Sequence, residues 1–369
     1  MKLTLSRAAL LKPLQIINGV VEKRQTLPIL SNVLVTITEN TLALTATDLE
    51  IELIGTIAVD QVAQTGTTTV AARKLLDICR ALPDDSTVQM TLEGEQLIIR
   101  SGGSRFALTT LPAHDFPNVE NGPFASEFKM SEGKLRRLIG KSYFAMGQQD
   151  VRHYLNGALF DVSHGIVKCI ATDGHRLAYS SIDEENAANI KSKVILPRKS
   201  VLELVRLLDT NSEAEVSVCI GENHFRIITN DFTFTSKLIN AQYPDYDKLI
   251  PRSVENTAVA SREPFKQALV RASILSNEKF RGIRLQLEKD QLRIVANNPE
   301  QEEAEETIVL EYQGTGLEMG FNAAYLLDVV SAIATDQISW SFNDPNSGVL
   351  IEPATEKGHC MYVVMPMRL

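Results

Sequence analysis

Cys169 to Ala178 reads CIATDGHRLA and sets a cysteine, an aspartate, a histidine and an arginine within eight residues. A carboxylate near a histidine is the pairing a hydrolase uses to activate a nucleophile. Asp173 and His175 stand at i and i+2, so on an extended strand they share a face. The set stops there. No third group completes it, and the chain holds no GxSxG elbow, no P-loop and no metal-ligand spacing. Its six histidines do not cluster as zinc ligands do. No catalytic residue, metal or cofactor is expected, and the chain reads as a non-enzyme.

The surrounding elements give the stretch another reason to exist. LALTATDLE (Leu42 to Glu50), KCIATDGHR (Lys168 to Arg176) and RIVANNPEQ (Arg293 to Gln301) align, with Asp48, Asp173 and Asn298 spaced by 125 residues each time. AARKLLDI and LPRKSVLE set Arg73–Lys74 and Arg198–Lys199 at the same 125-residue spacing, and GFNAAYLL follows with Asn322–Ala323 a further 124 residues on. Two markers at one period predict three copies of one domain, bounded as 1–124, 125–253 and 254–369. Asp and Asn at strand ends bond their own backbone, so the recurring residue predicts a turn. Gly174, His175, Arg176 and Leu177 have no counterparts in the other copies.

Each copy reads as internally doubled, a helix followed by alternating strands. Leu75, Leu76, Cys79 and Leu82 share one helical face, and Arg73, Lys74, Asp77 and Arg80 the other. VQMTLEG, QLIIRSG and RFALTTL follow as strands. The central copy repeats the plan with Val201, Leu204, Val205 and Leu208 inward, then EVSVCIG, HFRIITN and FTFTSKLI. The expected class is α+β, with two helices packed on antiparallel sheets in each domain.

With 369 residues, 44% apolar and 22% charged, the composition is that of a globular protein. No apolar run reaches the roughly 18 residues of a membrane span. Lys2, Arg7 and Lys12 interrupt the first apolar stretch, which makes it a poor signal peptide, and a cytoplasmic location is expected. Cys79, Cys169, Cys219 and Cys360 lie far apart with no CxxC pair, as reduced, buried thiols do.

Net charge is −9, which alone argues against nucleic acid. Its distribution reverses the argument. The helical windows Arg7 to Arg24, Ala72 to Leu82, Ser131 to Phe144, Pro197 to Leu208 and Arg262 to Leu275 are all net positive, and Phe321 to Ala334 alone is negative. If the repeat sets these helices on one side, that side is a basic track for phosphates on an acidic protein. Aromatic residues are only 6% of the chain, which favours backbone contact with a duplex over stacking on single strands. The acidic run NNPEQEEAEE (Asn297 to Glu306) reads first as a solvated strand edge that charge keeps from aggregating, and it also has a basic counterpart in IRSGGSRFAL, with Arg100 and Arg105. Joined between chains, such edges make a heterologous contact that closes into a ring or extends as a filament.

These residues resemble the bacterial DNA sliding clamp family, the beta subunit of the replicative DNA polymerase III. The likeness covers essentially the whole chain, through TLPILSNVL, TATDLE, VAARKLLDICR, QDVRHYLNG, ATDGHRLA, LPRKSV, FTSKL, YPDY, ILSNEKFRG, ANNPEQEEAEE and YVVMPMRL. It implies three domains of the DNA-clamp fold in a ring-shaped head-to-tail homodimer around double-stranded DNA. It implies tethering of the replicative polymerase and other proteins that carry a clamp-binding peptide, opening by an ATP-dependent clamp loader, and no catalysis.

The resemblance also assigns sites. A partner-peptide pocket would comprise Leu155, Thr172, Gly174, His175, Arg176, Leu177, Pro244, Lys248, Leu249, Val363, Met365, Pro366, Met367 and Arg368. DNA would meet Arg24, Arg73, Arg80, Gln149, Arg152, Tyr154, Arg198, Lys199 and Lys237. The dimer contact would pack Phe106 and Leu108 near Ile274 and Leu275, with Lys74 and Arg105 facing Glu300, Glu302 and Glu303. The chain departs from the family pattern at Lys248, where arginine is common, at His153, where tyrosine is, and in the loop Asp344 to Gly348. The alternatives are a hydrolase using Asp173 and His175, and a monomeric peptide-binding scaffold; subunit number separates the latter from a ring.

Overall fold

The computed structural model describes residues 1–21, 27–59, 62–118, 122–252 and 254–368. Among them lie six α-helices: α1 (Arg7–Ile17), α2 (Ala72–Ala81), α3 (Glu132–Gly140), α4 (Arg198–Leu207), α5 (Arg262–Ser273) and α6 (Ala323–Ala332). The strands are antiparallel throughout, and the chain divides into two compact units, Met1–Glu132 with Arg206–Leu238, and Gly133–Val205 with Ile239–Leu369. The central repeat thus contributes residues to both.

The first unit is built on one 13-stranded sheet. It runs from Phe124–Ser131 through Glu215–Gly221, His224–Ile228 and Phe232–Lys237 to Ile51–Ala58, then Thr41–Thr47, Asn32–Ile37 and Gly66–Ala71. Ser104–Leu111, Gln96–Ser101, Thr87–Glu93, Lys2–Ser6 and Val62–Gln64 complete it. The second unit holds an eight-stranded sheet and a four-stranded one. In the larger, Lys191–Pro197, Gly157–Ser163, Ile166–Thr172 and Arg176–Asp183 continue into Cys360–Val364, Val349–Pro353, Gln337–Phe342 and Asn256–Ser261. The smaller runs Glu303–Val309, Gln291–Asn297, Gly282–Glu288, Leu317–Asn322.

Alternation dictates these layers. On α2 the expected stripe Leu75, Leu76, Cys79 and Leu82 is buried, and Arg73, Lys74, Asp77 and Arg80 are mostly exposed. Helix α1 starts where the Ser6 hydroxyl accepts the Ala9 N–H at 3.2 Å, and it carries Pro13 in its interior. Gly55 on the facing strand admits that ring, since a Cβ there would lie 2.8 Å from Pro13 Cβ. Helix α6 is capped by Asn322, whose Oδ1 accepts the Ala324 N–H at 2.9 Å.

The turn reading of the repeat holds. Asp48 Oδ1 accepts the N–H groups of Glu50 and Ile51, Asp173 Oδ1 those of His175 and Arg176, and Asn298 Oδ1 that of Glu302. Thr47 and Thr172 add a second copy of one arrangement, each hydroxyl donating to the carbonyl four residues on.

The helical charge windows need correction. Helix α1 ends at Ile17, and Lys23 and Arg24 lie outside the described residues, while α3 ends at Gly140 before a separate turn at Tyr143–Ala145. Several helix cations are also committed internally. Arg7 Nε donates to Cys79 O at 2.8 Å, Arg136 Nε to Val205 O at 2.8 Å, and Arg262 Nε to Thr335 O at 3.0 Å. In each repeat an arginine of the first helix thus satisfies a carbonyl near the end of the second, where a cation is favoured. Lys12 pairs with Asp231 and Arg271 with Glu306.

All four cysteines are buried and free. Burial pushes the Cys79, Cys169 and Cys219 thiols up to about 11, so at pH 8 their thiolate forms are scarce. Native protein at pH 8 is expected to resist an aromatic disulfide reagent over minutes and to react at all four positions once unfolded in urea. Rapid labelling of folded protein would show that the fold opens locally around one of these thiols.

Candidate functional site

Within the second unit, a groove of about 300 Å³ forms where the strand ends of the eight-stranded sheet meet two short 3-10 turns. Its floor is apolar. Leu177 and Val363 face each other as cross-strand partners and are both buried, with Leu155 beside them. Thr172, Gly174 and Arg176 line one side, Pro244 and Leu249 another, and Met365 stands half-exposed at the rim. An apolar trough with a few fixed polar groups suits a peptide with hydrophobic anchors, and methionine adapts to more than one of them.

The turn above the floor is closed by its own bonds. Thr172 Oγ1 donates to Arg176 O at 2.6 Å and accepts the Gly174 N–H at 3.1 Å. Gly174 has a φ of +89°, which glycine adopts without strain. The Asp173 carboxylate bonds His175 through the backbone N–H and takes Arg176 Nε at 3.1 Å. The His175 ring stacks instead on Tyr325, at 6.3 Å between centroids. Asp173 is therefore spent on holding the turn.

Arg176 ties several segments together. Beyond Asp173, its Nη1 donates to Asp328 Oδ2 at 2.5 Å and its Nη2 to Phe144 O at 2.8 Å. Its guanidinium lies 4.4 Å from the Tyr325 ring centre and 5.4 Å from that of Phe144. Burial raises the Tyr325 hydroxyl above its ordinary range.

Arg152 and Tyr154, expected among DNA contacts, also line this groove. Arg152 is held by Asp150 at 3.0 and 2.8 Å, and these bonds hold the Asp150 carboxyl down to about 2. The pair therefore stays ionised through the acid range in which ordinary carboxylates protonate. Tyr154 meets Tyr243 edge to face at 6.4 Å. Burial pushes the Tyr243 hydroxyl far up.

His175, Lys248, Pro366, Met367 and Arg368 stand outside the groove lining. Lys248 pairs with Asp245 at 3.0 Å, and the Met367 N–H donates to Gly320 O at 2.8 Å, which fixes the tail. The Met365 N–H likewise donates to His175 O at 2.9 Å. The divergent loop is an aspartate-closed turn, Asp344 Oδ1 accepting from Asn346 and Ser347. Its Gly348 lies against the tail, where a Cβ would come 2.9 Å from Val363 and 3.0 Å from Met365.

The other expected residues fall in both units. Arg73 and Arg80 stand exposed on α2, and Lys237 at the end of its strand. Gln149, with φ of +55°, Arg198, whose Nη1 donates to Met146 O at 3.2 Å, and Lys199 belong to the second unit. Arg24 lies outside the described residues. In the first unit Lys74 and Arg105 are exposed, and Phe106 and Leu108 half-buried on Ser104–Leu111. That strand pairs with Gln96–Ser101 along its length, but with Gly66–Ala71 only at Thr110 and Leu111. In the second unit, Ile274, Leu275, Glu300 and Glu302 line a groove of about 520 Å³, and Glu303 opens the strand at the edge of the four-stranded sheet. Asp150, Tyr325 and Asp328 were missed by sequence reasoning. Only the opposite charges of Asp150 and Arg152, two residues apart, could have flagged the first.

Comparison with known proteins matches the whole chain. Family models for the DNA polymerase III beta subunit match over residues 1–120 (N-terminal domain), 129–245 (central domain) and 247–368 (C-terminal domain). The beta sliding clamp of Pseudomonas aeruginosa is 51% identical over 369 residues, covering 100% of both chains, and that of Escherichia coli K12 is 47% identical with the same coverage. A crystal structure of the Pseudomonas aeruginosa protein bound to griselimycin superposes with a TM-score of 0.97 at 51% identity, covering 100% of both chains. The Caulobacter crescentus clamp superposes at 0.95 with 36% identity and the same coverage.

Proposed function

The chain belongs to the DNA polymerase III beta-subunit family, the beta sliding clamps, and from that premise we propose that it encloses duplex DNA and tethers the replicative polymerase. The single observation that carries this reading is likeness over the entire length, at 51% identity and a TM-score of 0.97. The three repeats, taken as 1–124, 125–253 and 254–369, form half of a ring, and two chains close it head to tail. Phe106, Leu108, Lys74 and Arg105 of one chain meet Ile274, Leu275, Glu300, Glu302 and Glu303 of the next. The exposed flank of Ser104–Leu111 and the edge strand Glu303–Val309 support that pairing, since each leaves backbone groups free for a new neighbour.

Arg24, Arg73, Arg80, Gln149, Arg198, Lys199 and Lys237 meet phosphates without reading sequence. Arg152 and Tyr154 serve there or at the groove, whose wall they form. The groove takes the hydrophobic anchors of partner peptides from the polymerase, from an ATP-dependent loader and from other DNA-processing proteins, and also griselimycin. The protein works in the cytoplasm and catalyses nothing; Asp173, bound to its own turn and to Arg176, supports that reading.

Enclosure has a test. Loaded by its loader on nicked circular DNA, the protein should survive a wash in about 1 M salt, where the Debye length is about 3 Å. Cutting the circle should then release it. Loss in the wash before cutting would replace enclosure by ordinary ionic binding.

A further inference from the structure

One buried carboxylate in the second unit is claimed by none of these roles. Asp161 lies mid-strand in Gly157–Ser163, 1% exposed. It faces Lys168 and Lys193 as cross-strand partners. Its Oδ2 takes Lys193 Nζ at 3.2 Å and the Tyr246 hydroxyl at 3.1 Å. The Lys193 ammonium also lies 5.9 Å from the Tyr246 ring centre. A buried charge is costly unless paired, so this one has a geometry to hold.

Tyr246 opens the 3-10 turn Tyr246–Leu249 and is buried. Its ring enters the apolar cluster that also contains Leu177 and Val363, the groove floor. The residues flanking it on the chain, Pro244 and Leu249, form a groove wall, and Leu249 is half exposed there. Within Pro244–Leu249 only Tyr246 is buried, while half-buried Tyr243 packs on the same cluster just before the segment, and the polar end of the Tyr246 ring bonds Asp161.

Resting on the groove reading above, we propose that Asp161 is a positioning residue for partner binding: through the Tyr246 hydroxyl it fixes the Pro244–Leu249 wall against which a hydrophobic anchor seats. It touches no ligand. Without the bond, the wall segment samples other positions and the ligand must order it on binding, which weakens affinity through faster release.

The test titrates griselimycin into the full-length protein. Tyr246→Phe removes one oxygen and keeps the ring, so folding is preserved. It is expected to weaken binding roughly tenfold, the equivalent of one hydrogen bond to a charged group. Asp161→Ala should match that loss, and the double variant should lose no more than Asp161→Ala alone, because the Tyr246–Asp161 bond is common to both, while the Lys193 ion pair that Asp161→Ala also removes ends in an exposed lysine that rehydrates. Asp161→Asn keeps an acceptor for the hydroxyl and should recover most of the affinity. A merely structural carboxylate would give additive losses and no rescue. Leu177→Ala, at the floor, is the control and should weaken binding on its own. If Leu177→Ala weakens binding while Tyr246→Phe and Asp161→Ala leave it unchanged, the positioning role is overturned and the groove stands. If Leu177→Ala is silent as well, the groove assignment falls and the positioning role falls with it.

Discussion

Replacing Arg176 by alanine is expected to destabilise the protein by about 3 kcal/mol, and lysine should recover less than half of that. The reason lies in what is left behind. The guanidinium satisfies Asp173, Asp328 and the Phe144 carbonyl at once, and its face covers Tyr325. Removing one partner of a buried pair costs about 3–5 kcal/mol, because the other charge stays without compensation. Asp173 is mostly buried, at 16% side-chain exposure, whereas Asp328 at 47% can rehydrate, which places the expected loss at the lower end. A lysine ammonium is a point charge and cannot reach three acceptors set around a planar fork. With a slope of roughly 2–3 kcal/mol per molar urea, the midpoint should fall by about 1 M. On the proposed groove reading, griselimycin affinity should fall with it, since Arg176 lines the groove and belongs to the turn beside its floor. An alanine variant that unfolds with the wild type would show that the network is ornamental to stability.

Much of this arrangement was legible in the residues. The 125-residue spacing of Asp48, Asp173 and Asn298 marks a local feature, an aspartate or asparagine bonding the backbone just after it, and local features survive translation into structure. The α2 stripe and the strands after it were readable for the same reason, because alternation records burial directly. Contacts far apart in sequence left no such trace. Arg7, Arg136 and Arg262 look like solvated helix charges, yet each donates to a carbonyl about 70 residues away. The reach of α1 was overestimated because Lys23 and Arg24 extend a basic pattern that the backbone stops following after Ile17. The division of the central repeat between two compact units follows from strand pairing, Phe232–Lys237 with Ile51–Ala58 and Arg176–Asp183 with Cys360–Val364. Edge pairing of that kind is carried by backbone groups, which every residue has. As for the groove, its lining came from family likeness, and residue chemistry alone pointed there to an acid–base pair. What composition could not convey is that Asp173 and His175 face different neighbours.

The second large effect is expected at Gly157, where alanine should cost about 3 kcal/mol or more and loosen the groove wall with it. A Cβ built on Gly157 would lie 2.3 Å from the Leu196 carbonyl oxygen and 3.1 Å from both Ile195 and Ile239. The first of these is backbone, held in the ladder between Gly157–Ser163 and Lys191–Pro197, so it cannot rotate away. Relief requires the strands to part at the point where the chain leaves one site and enters another. On one side, Asn156 clamps the Asp150 segment through two bonds, its Oδ1 taking the Asp150 N–H at 2.9 Å and its Nδ2 donating to Asp150 O at 2.8 Å. On the other, the Asn156 carbonyl accepts the first N–H of α4, from Arg198, at 2.9 Å. One methyl group would therefore disturb the Arg152 side of the groove and the start of a basic helix together. A urea titration should show the midpoint lowered by about 1 M or more. On the proposed function, griselimycin binding and retention on circular DNA should both weaken well below the melting temperature. Serine should fare no better, since its Cβ meets the same oxygen. A stable Gly157→Ala protein with unchanged binding would mean that the two strands part at no cost, against the packing that the rest of the second unit displays.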